Sequence, residues 1–188
     1  MNSTLEPDST ILVDLDGVVA EQLPQLCRYL EREYNLNLEP NQIDDWSFQI
    51  PGEDHHVGEA IVHLMEHEPE WYFGGMEPRD GVADALRAIS SAYQVEIATH
   101  RIPETHDISK AWLADYDIPY DRFHETVPRD KGAVPGDVLI DDYHMNVANA
   151  IAAGKAGILM EQPYSDPSAC ADAYVATTWN DVVSLLDI

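Results

Sequence analysis

Apolar and polar positions along this chain follow two periods. Residues 10–14, Thr-Ile-Leu-Val-Asp, form a short β-branched apolar run ending in an acid, the mark of a buried strand. Residues 21–34 place Leu23, Leu26, Cys27, Leu30 and Tyr34 on one helical face. From residue 78 the chain settles into strand and helix in turn. A helix over 80–92 turns Val82, Leu86 and Ile89 inward, and a strand covers 95–99. A helix over 103–116 has Pro103 early, where proline is tolerated, and a short strand lies within 121–125. A strand over 137–141 precedes a helix over 145–153 that Gly154 stops; a strand over 156–160 and a last helix over 179–186 follow. The expected fold class is therefore α/β, a Rossmann-like parallel sheet with helices on both faces. Right-handed crossovers bring all strand C-termini to one edge.

Residues 35–75 differ in kind. They are rich in Trp, His, Pro and Gly and hold a helix at about 54–68. This predicts a small helical cap inserted after the first strand. The expected division is 10–20 and 76–188 for the catalytic core and 21–75 for the cap.

Composition narrows the classes. Hydrophobic residues make up 45% of 188, enough for one full core. No apolar run approaches the roughly 20 residues of a membrane span, and 1–9 lacks the pattern of a secretory signal. The expected location is the cytoplasm, with no membrane partner. Two cysteines make neither a disulfide framework nor a zinc site, and Cys27 reads as core. The formal charge is -25, with acids spread along the whole chain. That is an acidic shell suited to high salt, where screening mutes self-repulsion, and it predicts a halophilic source. It also offers no basic stripe for a nucleic-acid polymer.

Three strands end in polar residues at the shared edge: Asp14 and Asp16, Thr99, and Asp141 with Asp142, with Lys131 in the loop before the last. Four acids beside one lysine repel each other unless a cation joins them, and oxygen-only ligands suit Mg²⁺. A phosphomonoester would need Mg²⁺ and Lys131 to enter. Asp14 can attack phosphorus to form an aspartyl-phosphate. Asp16, past the turn at Gly17, can protonate the leaving oxygen and then activate water. The Thr99 hydroxyl can hold phosphate oxygens, and Lys131 with Mg²⁺ can stabilise transition-state charge.

In this order, Asp14-Leu15-Asp16-Gly17-Val18, a strand ending in Thr99, Lys131, then Asp141-Asp142, the chain resembles the haloacid dehalogenase-like superfamily of phosphatases. Pro78-Arg79-Asp80-Gly81-Val82, Arg129-Asp130-Lys131 and Glu161-Gln162-Pro163-Tyr164 are similar to the 5′(3′)-deoxyribonucleotidase branch. The resemblance implies a small-molecule phosphomonoester substrate, a nucleoside monophosphate in particular. It implies Asp14 as nucleophile and metal ligand, and Asp16 as acid/base and backbone-carbonyl ligand. Asp142 is then the direct metal ligand, with Asp141 in support. Thr99 and Lys131 bind phosphate, His100 stands beside them where Thr or Ser is common, and Arg129 reaches the substrate. Glu21 and Gln22 depart from the family's usual Asp and aromatic. Trp46 and Phe48 are the candidates for stacking on a base.

Other readings carry less. A sugar phosphate or another small metabolite fits the same chemistry. A signalling receiver or non-catalytic phosphate-binding module uses similar groups, but a receiver orders them differently and has no room for the cap. His63-Leu64-Met65-Glu66-His67 matches a zinc-peptidase pattern but falls in the cap helix, on a wet face. A homodimer is compatible with the sequence.

Overall fold

The computed structural model describes residues 5–188; the polar stretch 1–9 falls partly outside them. Strand β1 (Thr10–Val13) is flanked on both sides, its Ile11, Leu12 and Val13 fully buried. That explains its unbroken apolar run. It pairs in parallel with β2 (Gln94–Ile97), Val13 opposite Ile97, and with β4 (Val138–Asp141), Val13 opposite Ile140. Strands β3 (Arg122–Phe123), β5 (Ala156–Met160) and β6 (Tyr174–Ala176) complete a six-stranded parallel sheet in the order β3-β2-β1-β4-β5-β6. The connections depart to opposite sides of β1, so a crevice opens at the C-terminal ends of β1 and β4.

Between β1 and β2 lie α1 (Gln22–Tyr34), α2 (Val57–His67), α3 (Pro69–Gly74) and α4 (Val82–Ser90). The chain leaves and re-enters the sheet layer side by side: the Glu21 amide donates to the Glu77 carbonyl at 2.8 Å, and Arg79 to Val19 at 2.9 Å. Helix α1 ends on Asn35 in the left-handed conformation, where a short polar side chain is tolerated. After β2 come α5 (His106–Asp115), α6 (His144–Ala152) and α7 (Trp179–Leu186). Helix α7 starts with a reciprocal cap: Thr178 Oγ1 accepts from the Asp181 amide at 3.2 Å, and Asp181 Oδ2 accepts from the Thr178 amide at 2.8 Å.

Three elements differ from expectation. Residues 103–105 form a separate 3₁₀ turn, so α5 begins only at His106. Strand β6 and helix α3 were not predicted. β6 has three residues with Val175 exposed, and α3 has six, too short for either period to register. Cys27 is buried, as expected, and Cys170 is buried too; both are free thiols. No helix of the described residues is long and apolar enough to cross a membrane.

Candidate active site

The chain turns sharply after β1. Gly17 takes φ 76°, and a Cβ there would lie 2.1 Å from Asp142 Oδ2 and 2.6 Å from the Tyr164 hydroxyl. Only glycine fits, by conformation and by space. The Gly17 carbonyl accepts from Arg79 Nη1 at 2.9 Å and Gln162 Nε2 at 2.6 Å, which pins the turn.

Asp14 extends β1 toward the edge, its amide donating to the Ile140 carbonyl at 3.0 Å. Lys131, fully buried in a 3₁₀ turn capped by Asp130, reaches back under the site. Its Nζ donates to Asp141 Oδ2 at 2.7 Å and lies 3.0 Å from Asp14 Oδ1. Asp141 is saturated. Besides Lys131 it accepts from the Tyr143 amide at 2.9 Å and from Asn146 Nδ2 at 3.0 and 3.2 Å. Asp142 is held through Oδ2, which accepts from the Tyr164 hydroxyl.

Burial pushes the Asp14 carboxyl up to about 7, against the Lys131 charge and with the help of Asp141 and Asp16. Burial and then the Asp141 and Asp14 charges raise Asp142 well above the usual carboxylate range. Burial alone would lower Lys131, but its two aspartate partners outweigh that and raise it. The cluster thus lacks positive charge. Asp14, Asp141 and Asp142 each offer an oxygen, all within 4.8 Å of one another. Asp14 Oδ1 is buried, and no donor is aligned for a hydrogen bond to it, Lys131 Nζ being close but off-axis. An all-oxygen, acid-rich set with an unsatisfied buried oxygen fits a hard divalent cation.

Asp16 points to the other side of the turn. Arg101 grips it with both arms, Nε donating to Oδ2 at 3.0 Å and Nη2 to Oδ1 at 2.6 Å. Thr99 is buried, and its Oγ1 accepts from the Arg101 amide at 3.2 Å. His100 stands at the rim, Nε2 3.0 Å from the Pro128 carbonyl; burial first, then the Lys131 charge, lowers its pKa. A cavity of about 230 Å³ opens above these groups, lined by Asp14, Asp16, Thr99, His100 and Asp142. Gln22, Trp46, Ile61, Met65 and Phe73 form the facing wall, supplied by the segment between β1 and β2.

The structure therefore brings Asp14, Asp16, Thr99, His100, Lys131, Asp141 and Asp142 to one edge. Arg129 is exposed and does not line the cavity. Trp46 lines it, its ring 4.2 Å from that of Tyr164, whereas Phe48 does not. His63 and His67 stack at 4.4 Å on an exposed stretch of α2, and among the described residues the only group of three or more able to hold a metal is the aspartate trio. Sequence reasoning missed Arg101, Asn146 and the role of Tyr164. The available signals were an arginine two residues after Thr99 in a chain poor in cations, and a tyrosine in the quoted Glu161–Tyr164 motif.

Comparison with known proteins follows the same line. A comparison with curated protein sequences finds no match. Among solved structures, the chain is similar to a haloacid dehalogenase-like hydrolase from Streptococcus pneumoniae, with TM-score 0.67 and 15% identity over 95% of this chain and 98% of that one. A HAD-family hydrolase from Deinococcus radiodurans, with bound phosphate and sodium, matches at TM-score 0.62 and 16% identity over 97% of each chain. A HAD-hydrolase from Bacillus subtilis bound to magnesium matches at TM-score 0.60 and 14% identity over 96% and 99%. At these identities the likeness is one of fold. The sequence profile of the family described as 5′ nucleotidase, deoxy (pyrimidine), cytosolic type C protein matches residues 8–188. The chain thus belongs to that family, among the haloacid dehalogenase-like phosphoric monoester hydrolases.

Proposed function

We propose that the protein is a Mg²⁺-dependent nucleoside monophosphate phosphatase working through an aspartyl-phosphate on Asp14. The observation that carries this is the buried cluster of Asp14, Lys131, Asp141 and Asp142 beside a cavity that also holds Asp16. Asp14 and Asp142, with the backbone carbonyl of Asp16, would hold the ion. Asp141, with both oxygens already taken, supports Lys131 and the loop instead. The ion, when bound, neutralises the acids and polarises the phosphoryl oxygens.

Asp14 attacks phosphorus, and the Thr99 hydroxyl orients a phosphoryl oxygen. Lys131 keeps Asp14 in position and favours its ionised, nucleophilic form. Asp16, having taken up a proton from solvent, protonates the departing ester oxygen and regains a proton from the water that releases phosphate. The facing wall of Trp46, Ile61 and Met65 is apolar, the surface a nucleobase would rest on, with Gln22 as its polar contact. The family profile and the phosphate- and magnesium-bound relatives support the reading. The test is phosphate release from a panel of nucleotides and sugar phosphates with Mg²⁺ in multimolar KCl. Preference for a nucleotide over its ribose phosphate is expected; a preference for sugar phosphates would overturn the substrate assignment.

A further inference from the structure

We propose that Arg101 is a substrate-binding residue that holds Asp16 in the resting enzyme and exchanges that hold for the phosphoryl oxygens of the incoming monoester. The proposal rests on the phosphomonoesterase reading. Among the described residues, Arg101 is the one lysine or arginine that lines the cavity. Both side chains are fully covered in the resting state, but Lys131 Nζ is committed to Asp14 and Asp141 beneath the cavity, whereas the Arg101 fork is covered by Asp16, itself a cavity-lining residue. A phosphomonoester carries nearly two negative charges at neutral pH. It enters a cavity whose walls already hold Asp14, Asp16 and Asp142. A protein cation facing that cavity is the group such a ligand needs.

The Arg101 guanidinium is shaped and braced for it. Its two-point grip on Asp16, at 3.0 and 2.6 Å, is the fork that fits phosphate as well as carboxylate. Its remaining arm, Nη1, donates to Ser109 Oγ at 3.0 Å, and its Cζ lies 4.1 Å from the Phe73 ring centroid. The Arg101 carbonyl is 3.0 Å from His106 Nε2. These contacts hold the guanidinium in place whichever anion it faces. The exchange also ties two events together. Both Asp16 oxygens are occupied in the resting fork, so Asp16 faces the ester oxygen only once the phosphoryl group has taken the guanidinium.

The test measures binding of inorganic phosphate to the Mg²⁺-loaded protein by calorimetry. Arg101→Gln is expected to weaken binding about tenfold or more, the worth of one charge-assisted contact. Asp16→Asn removes the competitor and is expected to tighten binding. That gain should largely vanish in the Asp16→Asn/Arg101→Gln double variant. Wild-type affinity in Arg101→Gln overturns the proposal. So does an equal Asp16→Asn gain with and without Arg101, which would reduce the effect of Asp16 to charge repulsion. Should Arg101→Gln fail to fold, Arg101→Lys keeps the charge without the fork and is expected to weaken binding; wild-type affinity there overturns the proposal too. Absence of phosphate release by the wild-type enzyme would instead sink the phosphomonoesterase reading itself.

Discussion

The two walls of the cavity are built differently. On the sheet side, functional oxygens are held by several neighbours: Asp141 accepts from Lys131, Tyr143 and Asn146, and Asp16 takes both arms of Arg101. On the side contributed by residues between β1 and β2, Trp46, Ile61 and Met65 are half-buried and face the cavity with apolar surface. A hydrogen-bonded wall tolerates little change, because removing one partner strands the others. An apolar wall can be altered while the reaction beside it persists. Under the proposed function, the reaction belongs to the first wall and substrate choice to the second.

The largest expected effect sharpens that division. Asp14→Asn should lower phosphate release by at least ~10³-fold on every substrate, as loss of a nucleophile does. The fold should survive, since Asn relieves a buried charge. Comparable turnover by the variant and the wild type would break the comparison at its strong side. Next is Lys131→Met. It leaves Asp14 and Asp141 buried without their cation, and losing one partner of a buried pair costs about 3–5 kcal/mol. Urea unfolding reads this directly, and an unchanged midpoint would deny the pairing.

Metal addition gives the third effect, with a sign set by pH. The Asp14 carboxyl, raised to about 7, holds its proton more tightly folded than unfolded. The contribution of Asp14 to metal-free stability is therefore greatest below the unfolded value of about 3.9 and is lost as pH rises through about 7. Mg²⁺ at a hundred times its dissociation constant should restore about 2.7 kcal/mol at pH 8. At pH 5.5 protons compete for the same oxygens, so the gain in melting temperature should be smaller. Equal gains at the two pH values would place the ion elsewhere.

Trp46→Ala probes the other wall. It should raise KM for nucleotides by about tenfold, the cost of a lost stacking contact, and leave turnover of a small aryl phosphate within about twofold. Equal losses on both substrates would show that this wall serves the reaction itself. The smallest effect is a control far from the cavity. Thr178→Ala removes the cap of α7 and should cost about 1 kcal/mol in urea with kcat unchanged.

The same contrast decides what could be read from sequence. β1 and β4 were legible because buried apolar runs end directly in acids, and the topology of an α/β sheet brings such ends together. Arg101 was not, because what gives it meaning is Asp16, 85 residues away, and no local pattern encodes that pairing. Arg129, taken from the resemblance of Arg129-Asp130-Lys131 to a family motif, is exposed just before the capped 3₁₀ turn that buries Lys131 and Gly132. Between β1 and β2, composition marked a helical segment but could not separate Trp46, which lines the cavity, from Phe48, which does not. Aromatic residues two positions apart in irregular backbone have no period to sort them.

The central claim is that Asp14 carries the phosphoryl group. The most direct measurement is rapid acid quench of the enzyme turning over a ³²P-labelled nucleoside monophosphate with Mg²⁺, followed by peptide mapping. The account predicts label on the peptide containing Asp14, absent from Asp14→Asn. Label on another side chain, or steady turnover with no labelled peptide at any quench time, would contradict it.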